Sequence, residues 1–256
     1  MYVPVRSALA TVCRLIRPRL SGASVLCYHS VGDNGAPFTI EADMFASQMA
    51  YIASRHETVT PSELVRRMQS GKPVGGCVCI TFDDGYADNL SIALPILERY
   101  GLRAGVFVIT SRIGKTNTHS AGIEISMMSE EDLREAHRRG IEVLPHTHSH
   151  LDARDLAADS YEMEYEGSRM RLSSIIGAEV PRIVAYPKGR SDEAVRTWLG
   201  ERGWYAFGTR GGIATEHSLP CDIERNGVRA DTSESEFRTK VTDGIALFER
   251  ARAMLA

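Results

Sequence analysis

The sequence predicts an α/β fold built on parallel strands, and three observations carry that reading. Strand-like and helix-like runs alternate along the whole chain. No Pro- or Ser-rich linker, composition shift or internal repeat divides it. Side chains of metal-ligand type recur just past the C-terminal ends of the strands, where such folds place their working residues. A length of 256 residues suits one large domain. With 43% hydrophobic and 25% charged residues, the composition excludes a disordered chain, a collagen and a multi-span membrane protein.

The first strand is 25–31, an apolar run ending in a loop with Asp33, Asn34 and Gly35. The spacing of Met44, Phe45, Met49 and Ile52 predicts a helix over 41–56, and Pro61-Ser62-Glu63-Leu64 opens another that ends at Gly71. Residues 77–82 form the next strand, followed by a helix around 90–100 that Gly101 terminates. A strand over 105–110 leads into a loop of mixed character, 111–128, placed to form a lid or a subsite wall. Ser129-Glu130-Glu131-Asp132 caps a helix to Gly140. Strand 141–145, amphipathic helix 160–176, strand 182–186, helix 191–202, short strand 204–209 and a closing helix 234–255 complete the order. Six or seven strands fit a barrel or an open sheet, and fall short of a full eight-stranded barrel.

The net charge is -3, so no global basic field exists to hold nucleic acid. The charge is uneven, however. Arg6, Arg14, Arg17 and Arg19 are the only charged side chains before Asp33, which leaves the remainder at -7. Residues 1–20 are therefore read as a basic N-terminal segment, able to meet anionic lipid or a membrane-bound synthase, ahead of a body at 21–256. Arg14 interrupts the only short apolar stretch that could pass for a signal sequence. Cys13, Cys27, Cys77, Cys79 and Cys221 form no even disulfide framework, which favours a reducing, cytoplasmic setting with export as the alternative.

Four strand ends carry the chemistry. Asp83-Asp84-Gly85 follows strand 77–82, His146-Thr147-His148-Ser149-His150 follows 141–145, His29 follows 25–28, and Pro187-Lys188-Gly189 follows 182–186. Adjacent carboxylates leaving a strand diverge, so Asp83 and Asp84 suit different tasks, one on a metal and one on the water beside it. On an extended segment 146, 148 and 150 face one side; in a helical turn 146 and 150 converge and 148 leaves. Two imidazoles and one carboxylate make a common catalytic ligand set for zinc and related divalent ions. His56, His119 and His137 sit in helix or loop contexts with no such company.

Thr81-Phe82-Asp83-Asp84-Gly85, followed 62 residues after Asp84 by His146-Thr-x-x-His150, resembles the NodB-homology polysaccharide deacetylases of carbohydrate esterase family four. The resemblance covers roughly residues 23–240. It implies a distorted (β/α) barrel of about seven parallel strands, with Asp83 as general base and Asp84, His146 and His150 as metal ligands. The metal would be a divalent ion, zinc first, with cobalt, nickel or manganese as alternatives. The substrate implied is an N-acetylated glycan.

Two departures stand out. The family's third motif commonly reads Arg-Pro-Pro-Tyr-Gly, its Arg orienting the base. Here the chain reads Ala185-Tyr186-Pro187-Lys188-Gly189, with Arg182 as the nearest substitute. No Leu-x-His supplies the usual acid near the C-terminus, since His217 is followed by Ser-Leu-Pro. Both departures resemble the poly-N-acetylglucosamine deacetylase branch, in which the motif reads Ala-Tyr-Pro-x-Gly and a Tyr-His strand end supplies the acid. Tyr28-His29 matches it.

That branch implies hydrolysis of an N-acetyl group from an N-acetylhexosamine unit, with release of acetate. His29 would protonate the departing amine from the side opposite the base. The backbone N–H of Lys188 would hold the oxyanion, with Tyr186 and Pro187 on the same turn, and Trp204 would line the sugar pocket. Sugar O-deacetylation or another metal-dependent amide hydrolysis uses the same groups. An inactive glycan-binding homologue would show a broken ligand set, which this chain does not.

Overall fold

Seven parallel strands form an interrupted ring in the computed structural model, which describes residues 3–118 and 122–254. Helix α1 (Val3–Ile16) precedes β1 (Ser24–Tyr28), and the short strands β2 (Ser30–Val31) and β3 (Thr39–Ile40) pair just beyond it. Helix α2 (Ala42–Ala53), strand β4 (Glu57–Thr58) and helix α3 (Pro61–Gln69) lead to β5 (Cys77–Phe82). Helix α4 (Leu94–Arg99), entered through a π turn, leads to β6 (Ala104–Val108). A hairpin of β7 (Thr116–Thr118) and β8 (Glu124–Ser126) then precedes helix α5 (Glu130–Arg138) and β9 (Glu142–Pro145). The second half runs α6 (Ser168–Ile176), β10 (Ile183–Ala185), α7 (Glu193–Glu201), β11 (Tyr205–Phe207), β12 (Asn226–Gly227), α8 (Glu234–Lys240) and α9 (Gly244–Met254).

The sheet order is β12-β1-β5-β6-β9, all parallel, with β4 added beside β5. β10 and β11 pair separately, and a parallel bridge from Phe207 to Ile223 carries the ring back toward β12. The ladder is interrupted between β9 and β10, which distorts the barrel. β1, β5 and β6 are buried at every residue, as strands covered on both faces must be. Their Val, Leu, Ile and Phe side chains supply the main core, each worth roughly 1.5–3 kcal/mol when fully buried.

The helix signals act where the sequence places them. Thr60 caps α3 with Pro61 at its first position, and Ser129 with Asp132 forms a capping box on α5. Three expectations change. The loop 111–128 contains the β7–β8 hairpin rather than irregular chain throughout, and Tyr86 bridges to Met127, which brings the hairpin over the Asp83-Asp84 strand end. The seventh strand, β12, is two residues long, too short to leave a pattern. The closing helix is broken into α8 and α9, because Thr242 turns the chain and Gly244 admits α1: a Cβ on Gly244 would lie 2.7 Å from the Cys13 carbonyl oxygen. His119 and the last residue of the expected 234–255 helix lie outside the described residues.

Candidate active site

Among the described residues, four non-glycine residues have positive φ: Asp84 (71°), Thr147 (64°), His150 (62°) and Lys188 (58°). All four sit just past the C-terminal ends of β5, β9 and β10. Such conformations cost on the order of 1–3 kcal/mol and persist only where surrounding contacts enforce them. The strain gathers at one mouth.

The two carboxylates diverge there. Asp84 turns toward the histidines: its Oδ1 lies 3.3 Å from His150 Nε2 and 3.6 Å from His146 Nε2. Its Oδ2 accepts from Tyr86 Oη at 3.0 Å. Oδ1 is buried with no hydrogen-bond partner, an arrangement normally avoided unless something else completes it. His146 Nδ1 lies 2.8 Å from the Ala185 carbonyl, a contact that requires the proton on Nδ1 and leaves the Nε2 lone pair facing Asp84. The donor atoms of Asp84, His146 and His150 all lie within 4.8 Å of one another. A divalent cation fits this set, since two imidazoles and a carboxylate converge on one buried, unsatisfied point. Burial holds His146 down at about 4, against an ordinary 6.5, so it is neutral and ready to ligate.

The loop that presents the histidines is neither extended nor helical. Left-handed Thr147 and His150 fold the chain so that the His146 and His150 rings stand 5.0 Å apart. His148 leaves the cluster, its Nδ1 3.0 Å from Thr110 Oγ1. Glu164, buried and outside every sequence motif, fastens the turn by accepting from the His148 and Ser149 N–H groups and the Ser149 hydroxyl.

Asp83 turns to Arg225 instead, with its Oδ2 still 4.0 Å from His146 Nε2. Arg225 donates from Nη1 to Oδ1 at 2.7 Å and from Nη2 to Oδ2 at 2.8 Å, while its Nε donates to the Gly208 carbonyl at 2.8 Å. The Cys27 thiol donates to Oδ2 at 3.3 Å. Burial by itself raises the Asp83 pKa, but the Arg225 charge and fork overcome it and leave the carboxyl at about 2. Burial raises the Cys27 thiol further, so it stays protonated as a donor. Arg225 is fully buried. The arginine that the third motif lacks is therefore supplied from just before β12. Arg182 does not substitute: it is exposed and pairs with Glu166 at 3.5 Å. Cys27, His29 and Asp83 also cluster within 4.8 Å. Arg225 occupies both Asp83 oxygens with a fixed positive charge, which excludes a second cation there.

His29 stands beside Asp83 rather than across the mouth from it. The register that sets Tyr28 against Phe82 puts the next residues, His29 and Asp83, at neighbouring strand ends. His29 Nδ1 is buried without a partner, and the ring packs on Phe38 at 5.9 Å.

The expected substrate wall needs correction. Trp204 is 1% exposed in a second core cluster against Tyr165, so it cannot line a sugar pocket. The Tyr186 side chain is also buried, its Oη donating to the Cys221 carbonyl at 2.9 Å, and Pro187 is covered with it. Their side chains are packed inside and shape the turn. Only Lys188 reaches the surface. The turn depends on Gly189, whose Cβ would collide with Thr209 at 1.9 Å.

The polysaccharide deacetylase family model matches residues 70–206, just over half of the chain and inclusive of the Asp83-Asp84 and His146–His150 strand ends. The chain belongs to the polysaccharide deacetylase family. YxkH of Bacillus subtilis, whose name places it among the polysaccharide deacetylases, is 31% identical over 217 residues, covering 83% of this chain and 74% of that protein. The poly-beta-1,6-N-acetyl-D-glucosamine N-deacetylase of Staphylococcus aureus is 30% identical over 113 residues, 43% of this chain and 38% of that one. Among solved structures, the Streptococcus pyogenes deacetylase PplD in complex with acetate superposes with a TM-score of 0.75 at 22% identity, covering 87% of this chain and 99% of that chain. IcaB from Ammonifex degensii gives 0.73 at 24%, covering 87% and 97%. These likenesses establish the deacetylase fold. The residues that signal membership are those of β5 and β9, whereas Arg225, Cys27, Tyr86 and Glu164 belong to no motif and become visible through contact alone.

Proposed function

We propose that this polysaccharide deacetylase hydrolyses N-acetyl groups on N-acetylhexosamine units of a poly- or oligosaccharide, releasing acetate and leaving a free amine. The observation that carries the reading is the divergence of two adjacent carboxylates. Asp83 is held ionised by Arg225, which donates to both of its oxygens, and Asp84 faces two imidazoles with an unsatisfied oxygen. That is the division of labour hydrolysis needs: one group to take a proton, one to hold a cation.

Asp84, His146 and His150 would hold a divalent ion, with zinc the ion best matched to two nitrogens and one oxygen. When bound, such an ion polarises a carbonyl and acidifies water. Asp83 accepts the proton of the attacking water, its geometry fixed by Arg225 and Cys27. His29 gives a proton to the amine as the C–N bond breaks, because an amide leaves poorly as an anion. Lys188, at the left-handed turn after β10, presents its backbone N–H to the oxyanion. The Staphylococcus aureus relative supports an N-acetylglucosamine polymer as substrate class, and O-acetyl esters of sugars are the alternative.

The deciding experiment is acetate release from N-acetylglucosamine oligomers and O-acetylated sugars, with and without chelator. Chelator-sensitive release from the N-acetyl series, reduced about a hundredfold or more in Asp83→Asn at unchanged metal content, supports the proposal. Release from O-acetyl sugars alone, or full activity in Asp83→Asn, overturns it.

A further inference from the structure

Helix α1 has two apolar faces, and the fold covers one. Ala10 and Cys13 pack against Ile245 and Phe248 of α9, and Thr239 Oγ1 donates to the Ala10 carbonyl at 2.8 Å. The outward face carries Pro4, Val5, Ala8, Val12, Leu15 and Ile16, which at helical spacing fall within an arc of about 120°. No charged residue falls in that arc. Val5 and Val12 are each 52% exposed, Ile16 61% and Leu15 69%. A helix packed on a globular body normally turns charge outward, so this second apolar stripe calls for a partner.

The charges beside the stripe indicate which partner. Arg17 and Arg19 follow the C-terminal end of the helix, exposed and with no ion pair among the described residues, whereas Arg6 pairs with Asp231 and Glu236 and the Arg14 Nε is buried on the covered side. No helix among the described residues is long and apolar enough to cross a membrane, so the stripe fits a helix lying along a surface. A second copy of the chain is a poorer match, because the first 32 residues hold no carboxylate to answer Arg17 and Arg19.

We propose that α1 docks this protein on an anionic lipid bilayer. Val5, Val12, Leu15 and Ile16 enter the acyl boundary, and the exposed Arg17 and Arg19 face the lipid phosphates. The proposal is independent of the reaction at the strand ends.

Co-sedimentation of the full chain with phosphatidylglycerol and with phosphatidylcholine vesicles tests it. The expected result is binding to phosphatidylglycerol at least tenfold stronger than to phosphatidylcholine, and released by high salt. Val12→Glu/Leu15→Glu should weaken it tenfold or more. Arg17→Gln/Arg19→Gln should weaken it as well, by about fivefold for each arginine. Both pairs are exposed, so the melting temperature should stay unchanged. Equal binding to both lipids, no binding, or a wild-type dimer that Val12→Glu/Leu15→Glu turns into a monomer overturns the proposal.

Discussion

Arg225 and Asp83 meet as a two-point fork at 2.7 and 2.8 Å, reached from opposite sides of β1, with the guanidinium fully buried. Arg225 leads into β12 and Asp83 leaves β5, and both of those strands flank β1. The fork holds the carboxylate ionised in a site where burial works against the charge, and it fixes the orientation of both oxygens.

Replacing Arg225 by Met should strip a buried charge of its partner. The expected loss of stability is about 3–5 kcal/mol by denaturant titration, the usual consequence of breaking a buried pair. Turnover should fall at least a hundredfold, and the acidic limb of the pH–rate profile should move upward, because the carboxyl is no longer held near 2. Asp83→Asn/Arg225→Met should recover part of the stability and none of the activity. An unshifted acidic limb in the single variant would show that Arg225 serves folding alone.

The histidines should separate in a metal titration. His150→Ala should weaken binding of zinc or cobalt a hundredfold or more, whereas His148→Ala, whose ring turns to Thr110, should stay within about threefold. Glu164→Gln should fall between them, at roughly tenfold, since it alters the turn that carries His150 and no ligand. Equal losses from His148→Ala and His150→Ala would contradict the geometry.

His29→Gln should lower N-acetyl turnover by about a hundredfold or more and spare an aryl acetate, whose leaving group departs without protonation. Comparison of the two substrates in one variant makes the measurement. Equal losses on both would assign His29 a structural part beneath Phe38.

Metal-free protein should lose stability as the pH falls from about 6.5 to about 4. His146 is held neutral by burial at about 4 against an ordinary 6.5, so across that window the unfolded chain binds more protons than the folded one. Its contribution, on the order of 3 kcal/mol, is complete above the upper value and gone below the lower. Urea titrations at pH 7 and pH 4.5 measure the difference, and His146→Asn should flatten it. An equally steep dependence in that variant would place the titration elsewhere.

The sequence by itself determined the strand–helix alternation, the caps at Thr60 and Ser129, and the two strand ends that carry Asp83, Asp84, His146 and His150. These are local: apolar runs, capping residues and adjacent ligands are all written within a few positions of one another. The tertiary structure alone decided the rest. Arg225 lies 142 residues from Asp83 and reaches it only because β12 closes the ring beside β1. Whether His146 and His150 meet depends on left-handed Thr147 and His150, which flank the His148-Ser149 turn that Glu164 secures from another segment. Trp204 and Tyr186 could each have faced a sugar or a core, and only the closure of β10 and β11 over α7 put them inside. Pairing across the ring is set by sheet register and packing, and neither leaves a mark in the spacing of neighbouring residues.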